Sequence, residues 1–452
     1  MIGAAAAAVL TALIFPKFNL TWLAWIALVP FFSLLITSQN RQEGLKQGFV
    51  FGFIFFLLHL YWLLTLAEFV SWWIVLGWIV LAIFQTLFIL LFVCLVLLTK
   101  PVWRSWAIPF FWVMVEWLRA WGPFGVSGGD LGYSQATCLP LIQIASFTSV
   151  YGVSFLIALV NAAFAQIMVE RKKIGLLIVA TGLLIATLVY GHFVLQQASQ
   201  PTNQYLKLAL IQANIPQKEK LNPRSVPQIF AVHQELTKKS LADRPDIIIW
   251  PETALFTYLF QDQQIWGGLQ ELIRQASCPF IIGTPHYQNG KAYNSVVSIS
   301  ATGEVLSFYY KQHLVPFGEY LPFRQLLFPI LKGVGYYDSE FASDQPPGPL
   351  RIKNLSIAAA VCFESVFPQV IKERVNKETA FILLVTNDAW FGNSAASYFH
   401  LNAGVLRAIE NRRYFVQVGN TGFSALIDPF GRIIKVSDLN KQQVLLVKVP
   451  RP

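Results

Sequence analysis

Charge is scarce in this 452-residue chain. Asp, Glu, Lys and Arg make up 13% of it, against 55% hydrophobic residues and a mean hydropathy of +0.51. A soluble globular protein carries about a quarter charged residues, so a chain that is water-soluble throughout is excluded. Sulfur is scarce as well. Cys94, Cys138, Cys278 and Cys362 form no CxxC pair, and no His/Cys cluster has zinc-ligand spacing. No metal or other cofactor is expected. A Cys138–Cys278 bridge is open but nothing supports it. The net charge of +10 does not come from one basic patch. The basic residues cluster at helix ends, which argues against nucleic acid and for anionic lipid headgroups.

The missing charge is missing from one part. Residues 1–198 hold nine Lys/Arg and five Asp/Glu, leaving 25 and 19 for residues 199–452. Apolar runs near 2–15, 20–37, 47–66, 73–99, 105–121, 147–168 and 174–194 read as seven crossing helices, each needing about 20 residues. The first lacks a basic flank and a cleavage site after it, so it reads as a retained span. Arg41, Lys46, Lys100, Arg104, Arg171, Lys172 and Lys173 fall in alternate connections, and the opposite ones carry Lys17 and Arg119. By the positive-inside rule those seven residues are cytoplasmic, and residue 199 onward lies outside. His59 and Glu116 are ionisable groups at membrane depth, which is costly. Two readings stand: a headgroup or substrate crevice, or span-end residues reaching the interface. The connection WGPFGVSGGDLGYSQ, 121–135, is expected on the outer surface.

From residue 205 the pattern becomes strands alternating with helices. Strands are predicted at 207–215, 246–252, 279–284, 293–300, 305–311, 355–362, 380–387, 414–420 and 423–429, with helices near 226–242, 262–277 and 398–411. The turn DPFGR, 428–432, leads into one more short apolar run, IIKV. Near-continuous apolar strands imply a sheet covered on both faces. Two sheets face to face with helices outside, an αββα sandwich, is the layer solution. The chain thus divides into 1–198, a transmembrane bundle, and 199–452, an extracytoplasmic α/β domain.

Polar residues at three strand ends stand out. Glu252 ends DIIIWPE, Lys311 ends VLSFYYK and Cys362 ends LSIAAAVC. If those strands are neighbours, the three converge. Each suits a chemical role. A cation favours the thiolate of Cys362, and Lys311 can supply it or donate to an oxyanion. Glu252 can take the thiol proton. A covalent acyl-thioester follows. Pro251 fixes a sharp exit before Glu252.

These residues resemble the carbon–nitrogen hydrolase (nitrilase) superfamily: WPETA, YYKQHLVPFGEYLP, VCFES and TNDAWFG. With the spans and LGYSQ (131–135), the resemblance narrows to the apolipoprotein N-acyltransferase family. It implies a bacterial inner-membrane enzyme, read as a monomer, with its catalytic domain on the outer face. An acyl chain would pass from a membrane phospholipid to Cys362, and then to the α-amine of a diacylglyceryl-cysteine lipoprotein. Glu252 would be the base and Lys311 the oxyanion partner. Glu319, Glu364, Phe363 and Asn387 would support them. The alternative is a membrane-tethered amidase acting on small amides. The chain departs from the family in having Leu221 where a Trp is usual and Phe363 where a Tyr is usual. The family usually returns through a last membrane helix, whereas this sequence stops at VLLVKVPRP. The apolar segment 320–340 reads as a lid dipping into lipid or as a surface packed on the bundle.

Overall fold

A computed structural model of the chain describes residues 1–70, 72–122, 124–197, 204–332, 340–345 and 348–451. Two compact units emerge. One comprises Met1–Ala198 with Ser394–Leu406, the other Ser199–Asn393 with Arg407–Pro452.

The first unit is helical. Its principal helices are Ile2–Leu13, Val29–Thr37, Arg41–His59, Trp73–Leu98, Arg104–Arg119, Ala145–Val169 and Gly175–Gln196. Each apolar run contains one of them, but they are unequal. Among the described residues, Trp73–Leu98, Ala145–Val169 and Gly175–Gln196 are long and apolar enough to cross a membrane. Arg41–His59 continues into Tyr61–Phe69 through a 47° bend and makes a fourth if the pair is one span. The second run is interrupted. Thr21–Trp25 is a 3₁₀ turn, and Pro30 stands in the first turn of the helix that follows. Leu76, Val80 and Leu87 on one long helix, with Ile178 and Ile185 on another, are exposed. Such an apolar exterior suits lipid rather than water.

Polar side chains repair the backbone where helices break. Asn161 accepts from Leu28 N (2.9 Å) and donates to Ala24 O (2.7 Å). Arg104 donates to Leu35 O and Ser38 O, at 3.2 and 2.6 Å, closing the end of Val29–Thr37. His59 and Glu116 are buried inside this unit. Glu116 Oε1 accepts from Trp112 Nε1 (2.8 Å) and Leu131 N (2.9 Å). His59 packs on Phe15 (4.5 Å), Phe55 (5.4 Å) and Phe399 (5.2 Å), the last from the Ser394–Leu406 segment. Within the connection 121–135, Leu131–Gln135 is a buried turn, and buried Asp130 pairs with buried Arg119. Ser127 Oγ also donates to Asp130, at 2.9 Å. The four cysteines are free thiols.

Among the described residues, the second unit holds two six-stranded sheets. One has the order β12–β1–β2–β3–β4–β5 and the other β11–β10–β9–β8–β7–β6. Their strands are β1 Tyr205–Gln212, β2 Ile247–Trp250, β3 Phe280–Gln288, β4 Lys291–Ile299, β5 Val305–Tyr310, β6 Leu350–Ile352, β7 Leu355–Val361, β8 Thr379–Thr386, β9 Phe415–Gly419, β10 Ala425–Ile427, β11 Ile433–Val436 and β12 Gln443–Pro450. Side chains alternate between faces along each strand. Leu208 and Leu210 of β1 meet Ala359, Val361, Leu383 and Val385 in a core between the sheets. Ala209 and Ile211 point the other way, into a core with Phe230 and Leu236 of helix Val226–Ser240 and Leu269 and Ile273 of helix Gln263–Ala276.

Three strands escaped the sequence pattern, among them β11, the IIKV run, which is exposed along its length. β6 is too short to carry a period. β12, the VLLVKV tail, pairs antiparallel with all of β1 and buries Leu445, Val447 and Val449. In the segment read as a lid, Arg324–Lys332 is helical, with Leu326 70% exposed. Residues 333–339 lie outside the described residues.

Asp130→Ala strands the buried Arg119 charge. It is expected to cost on the order of 3 kcal/mol, seen as a lower tryptophan-fluorescence melting temperature in detergent. An unchanged melt would show that the pair is dispensable.

Candidate active site

The three strand ends come from strands that are not neighbours, so the condition set for their convergence is not met by strand order. β2, leading to Glu252, and β5, leading to Lys311, are separated by β3 and β4. β7, leading to Cys362, lies in the other sheet. The path of the chain closes the first gap. After Trp250, residues 251–254 cross over β3, where Ala254 N donates to Gly283 O (2.8 Å). Only glycine permits this approach. A Cβ at 283 would lie 2.4 Å from Pro251 O and 2.7 Å from Glu252 Cα. Glu252 thereby reaches Asn294 on β4.

Asn294 organises the carboxylates. Its Nδ2 donates to Glu252 Oε1 and to Glu319 Oε1, each at 2.8 Å. Its carbonyl accepts from Lys311 N at 2.9 Å. Lys311 Nζ lies 2.7 Å from Glu319 Oε2 and 3.9 Å from Glu252 Oε1. Asn387 N donates to Glu252 Oε2 and Val315 N to Glu319 Oε2, both at 2.8 Å. Glu252, Lys311, Asn294 and Asn387 are all buried.

Burial sets the charges. It would lower the Lys311 pKa, but Glu319 and Glu252 more than offset it and hold the ammonium above its ordinary value. Burial raises Glu252 despite the pull of Lys311. Burial, followed by the Glu252 charge, pushes the Cys362 thiol well up, with Lys311 opposing. Burial thus strengthens Glu252 as a base and weakens Cys362 as an acid.

Cys362 sits where β7 gives way to a 3₁₀ turn, Cys362–Val366, and its φ is +51°. This left-handed backbone costs a non-glycine residue about 1–3 kcal/mol. Glu364 holds the turn. Its carboxylate accepts from Val361 N (2.8 Å), Gln312 N (2.8 Å), His313 N (3.1 Å), Tyr309 Oη (2.9 Å) and Arg374 Nη2 (2.9 Å). Those donors come from both sheets. Burial would raise the Glu364 pKa, but Arg374 and the other donors outweigh it and bring it below the ordinary glutamate value. Arg374 also lies over the Tyr309 ring, 4.7 Å from its centroid.

Of the sequence-derived site residues, Glu252, Lys311, Glu319 and Asn387 share one bonded network. Glu364 forms a second, around the Cys362 turn. Phe363 packs edge-on against Phe367 (5.0 Å). Leu221 is 37% exposed. Sequence reading passed over four others. Asn294 was visible as a polar residue inside the buried run YNSVVSIS. Arg374 and Lys220 looked like solvated charge. Asp388, within TNDAWFG, is buried and accepts from Thr386 Oγ1 (2.9 Å).

Known proteins resemble the chain along almost its whole length. Residues 7–163 match the apolipoprotein N-acyltransferase N-terminal domain, and residues 207–452 match carbon-nitrogen hydrolase. An apolipoprotein N-acyltransferase from Geobacter metallireducens is 33% identical over 97% of this chain and 87% of its own. The chain belongs to the apolipoprotein N-acyltransferase family. Relatives of the same name from Rickettsia prowazekii and Pasteurella multocida are each 30% identical, over 92% and 93% of this chain and 85% and 84% of their own. Among solved structures, a CN-hydrolase superfamily protein from Xanthomonas campestris is 18% identical, with a TM-score of 0.43 over 54% of this chain and 91% of its own. An amidase from Nesterenkonia sp. is 15% identical, with a TM-score of 0.41 over 55% and 92%.

Glu364→Gln should destabilise the protein, and by a pH-dependent amount. A depressed folded pKa gives stability that is full above the unfolded value, about 4.3, and is lost as pH falls through the folded one. The gap between wild type and variant in unfolding free energy is therefore expected to be wide at pH 7 and to narrow below pH 4. A gap independent of pH would contradict the charge assignment.

Proposed function

We propose that the chain N-acylates lipoproteins, taking the acyl group from a membrane phospholipid through a thioester on Cys362. Family membership supports the reaction, and one observation carries the mechanism. A buried lysine is held between two carboxylates, one of which has its basicity raised, in the unit that presents a strained cysteine at a strand end.

The chemistry follows from these groups. Cys362 Sγ attacks the phospholipid ester carbonyl while its proton passes to Glu252. The oxyanion of the tetrahedral intermediate is stabilised by the Lys311 ammonium. Collapse breaks the C–O bond, and Glu252 returns the proton to the departing lysophospholipid oxygen. The α-amine of the diacylglyceryl-cysteine acceptor then attacks the thioester and gives a proton to Glu252. The C–S bond breaks, and the proton restores the thiol. Glu319 fixes Lys311, Asn387 fixes Glu252, and Glu364 with Phe363 shapes the turn carrying Cys362.

In the same reading, all seven apolar runs lie in a bacterial inner membrane as a bundle. The α/β domain, with helices covering both sheets, stands on the outer face as a monomer. The basic connections support that orientation. An anchor needs one span. Seven, with buried polar residues, suit an enzyme drawing both substrates from lipid.

Purified protein supplied with phospholipid and a diacylated lipopeptide is expected to yield triacylated lipopeptide and lysophospholipid in equal amounts. Cys362→Ser and Lys311→Ala should each lose at least about a hundredfold in rate, the range for removing one such group. Hydrolysis of small amides without lipopeptide acylation would make the protein a tethered amidase instead.

A further inference from the structure

Asn420 follows β9 and is buried, and every polar group it carries is bonded. Its Oδ1 accepts from Ile215 N at 3.0 Å. Its Nδ2 donates to Ile215 O (2.8 Å) and to Asn387 Oδ1 (2.9 Å). Its backbone carbonyl accepts from Asn214 N (3.0 Å), and its own N donates to Thr386 O (3.1 Å). The amide fits one way round. Turned over, Nδ2 would meet the Ile215 N–H and Oδ1 would meet two oxygens. Ile215 lies beyond the end of β1 and Asn387 beyond the end of β8, so one side chain ties strand ends of both sheets.

The tie ends on Glu252. The peptide between Thr386 and Asn387 accepts from Asn420 N through its carbonyl oxygen. Through its N–H the same peptide donates to Glu252 Oε2 at 2.8 Å. One peptide plane thus carries a chain of two hydrogen bonds from Asn420 to the carboxylate, and bonds in such a chain polarise one another. The Asn387 side chain is held at both ends, by Asn420 and by Gln217 Oε1 (2.8 Å), which keeps the peptide turned toward Glu252. A hydrogen bond donated to a carboxylate favours its charged form.

Resting on the thioester reading above, we propose that Asn420 is a positioning residue for Glu252. It acts through the Thr386–Asn387 peptide, aims that N–H at Oε2, and so keeps Glu252 ionised to receive the Cys362 proton. Other charges act on Glu252 as well. Lys311 faces it from the end of β5, Glu319 from the segment that follows, Lys220 from the helix Gln217–Lys220, and Cys362 from the end of β7. None of them is altered when Asn420 is replaced.

The test uses the full chain in detergent and follows acylation of Cys362 by phospholipid, without acceptor, as intact mass against pH. Weakening the bond to Oε2 raises the Glu252 pKa, so less of the base is ionised at a given low pH. In Asn420→Ala the acid limb of the profile is expected to move up by at least about half a unit. That is roughly a threefold loss of rate below the midpoint, with little loss on the plateau above it. Asn387→Ala removes the side chain that Asn420 holds and keeps the backbone donor. It should move the limb the same way, and the double variant should move it no further than the larger single shift. Folded Asn420→Ala protein whose profile falls at every pH without moving overturns the proposal and leaves the thioester reading intact, since a merely structural role scales the rate alone. Where Asn420→Ala does not fold, Asn420→Ser and Asn387→Ala carry the test, and an unmoved limb in them overturns the proposal. Wild-type protein that gains no acyl chain at any pH would overturn the thioester reading, and the proposal with it.

Discussion

The site depends on one buried carboxylate. Glu364 accepts hydrogen bonds from Val361 in one sheet's strand and from Tyr309, Gln312 and His313 at the end of a strand in the other. Arg374 neutralises it. Two sheets packed through aliphatic side chains set a spacing of about 10 Å but leave sliding cheap. A fully buried anion does not, because each donor lost leaves a charge less well solvated. Glu364 therefore turns a greasy interface into a fixed distance between groups that must cooperate.

The second constraint is dryness. Cys362 and Glu252 both have pKa values pushed up by burial, and Lys311 keeps its proton only because two carboxylates face it. In water these groups would sit several units apart and exchange protons with solvent. Here burial strengthens Glu252 as a base and weakens Cys362 as an acid, and in the proposed reaction the same dryness shields a thioester from hydrolysis. That suits transfer to an amine better than hydrolysis.

Much of this was legible in the sequence. Apolar strand patterns located every strand but β6, β11 and β12, and Glu252, Lys311 and Cys362 were visible because each ended a buried run. Their neighbourhood was not legible. It depends on the crossing of residues 251–254 over Gly283, a three-dimensional path with no periodic signature. Asn294, Arg374 and Lys220 were missed for a related reason. A polar residue bonded to a buried carboxylate or its turn looks, in one dimension, like any polar residue near a turn. In the helical unit, hydropathy marked every apolar run but not the 3₁₀ break at Thr21–Trp25 or the 47° bend after His59. Such breaks are tolerated because side chains like Asn161 supply bonds that hydropathy does not record.

The central claim is that Cys362 carries the acyl group. It is tested most directly by the intact mass of the protein after incubation with phospholipid and no acceptor, beside Cys362→Ala. The account predicts a gain of one acyl chain that hydroxylamine removes and that the variant lacks. Free fatty acid accumulating at a Cys362-dependent rate, with no adduct, would contradict it.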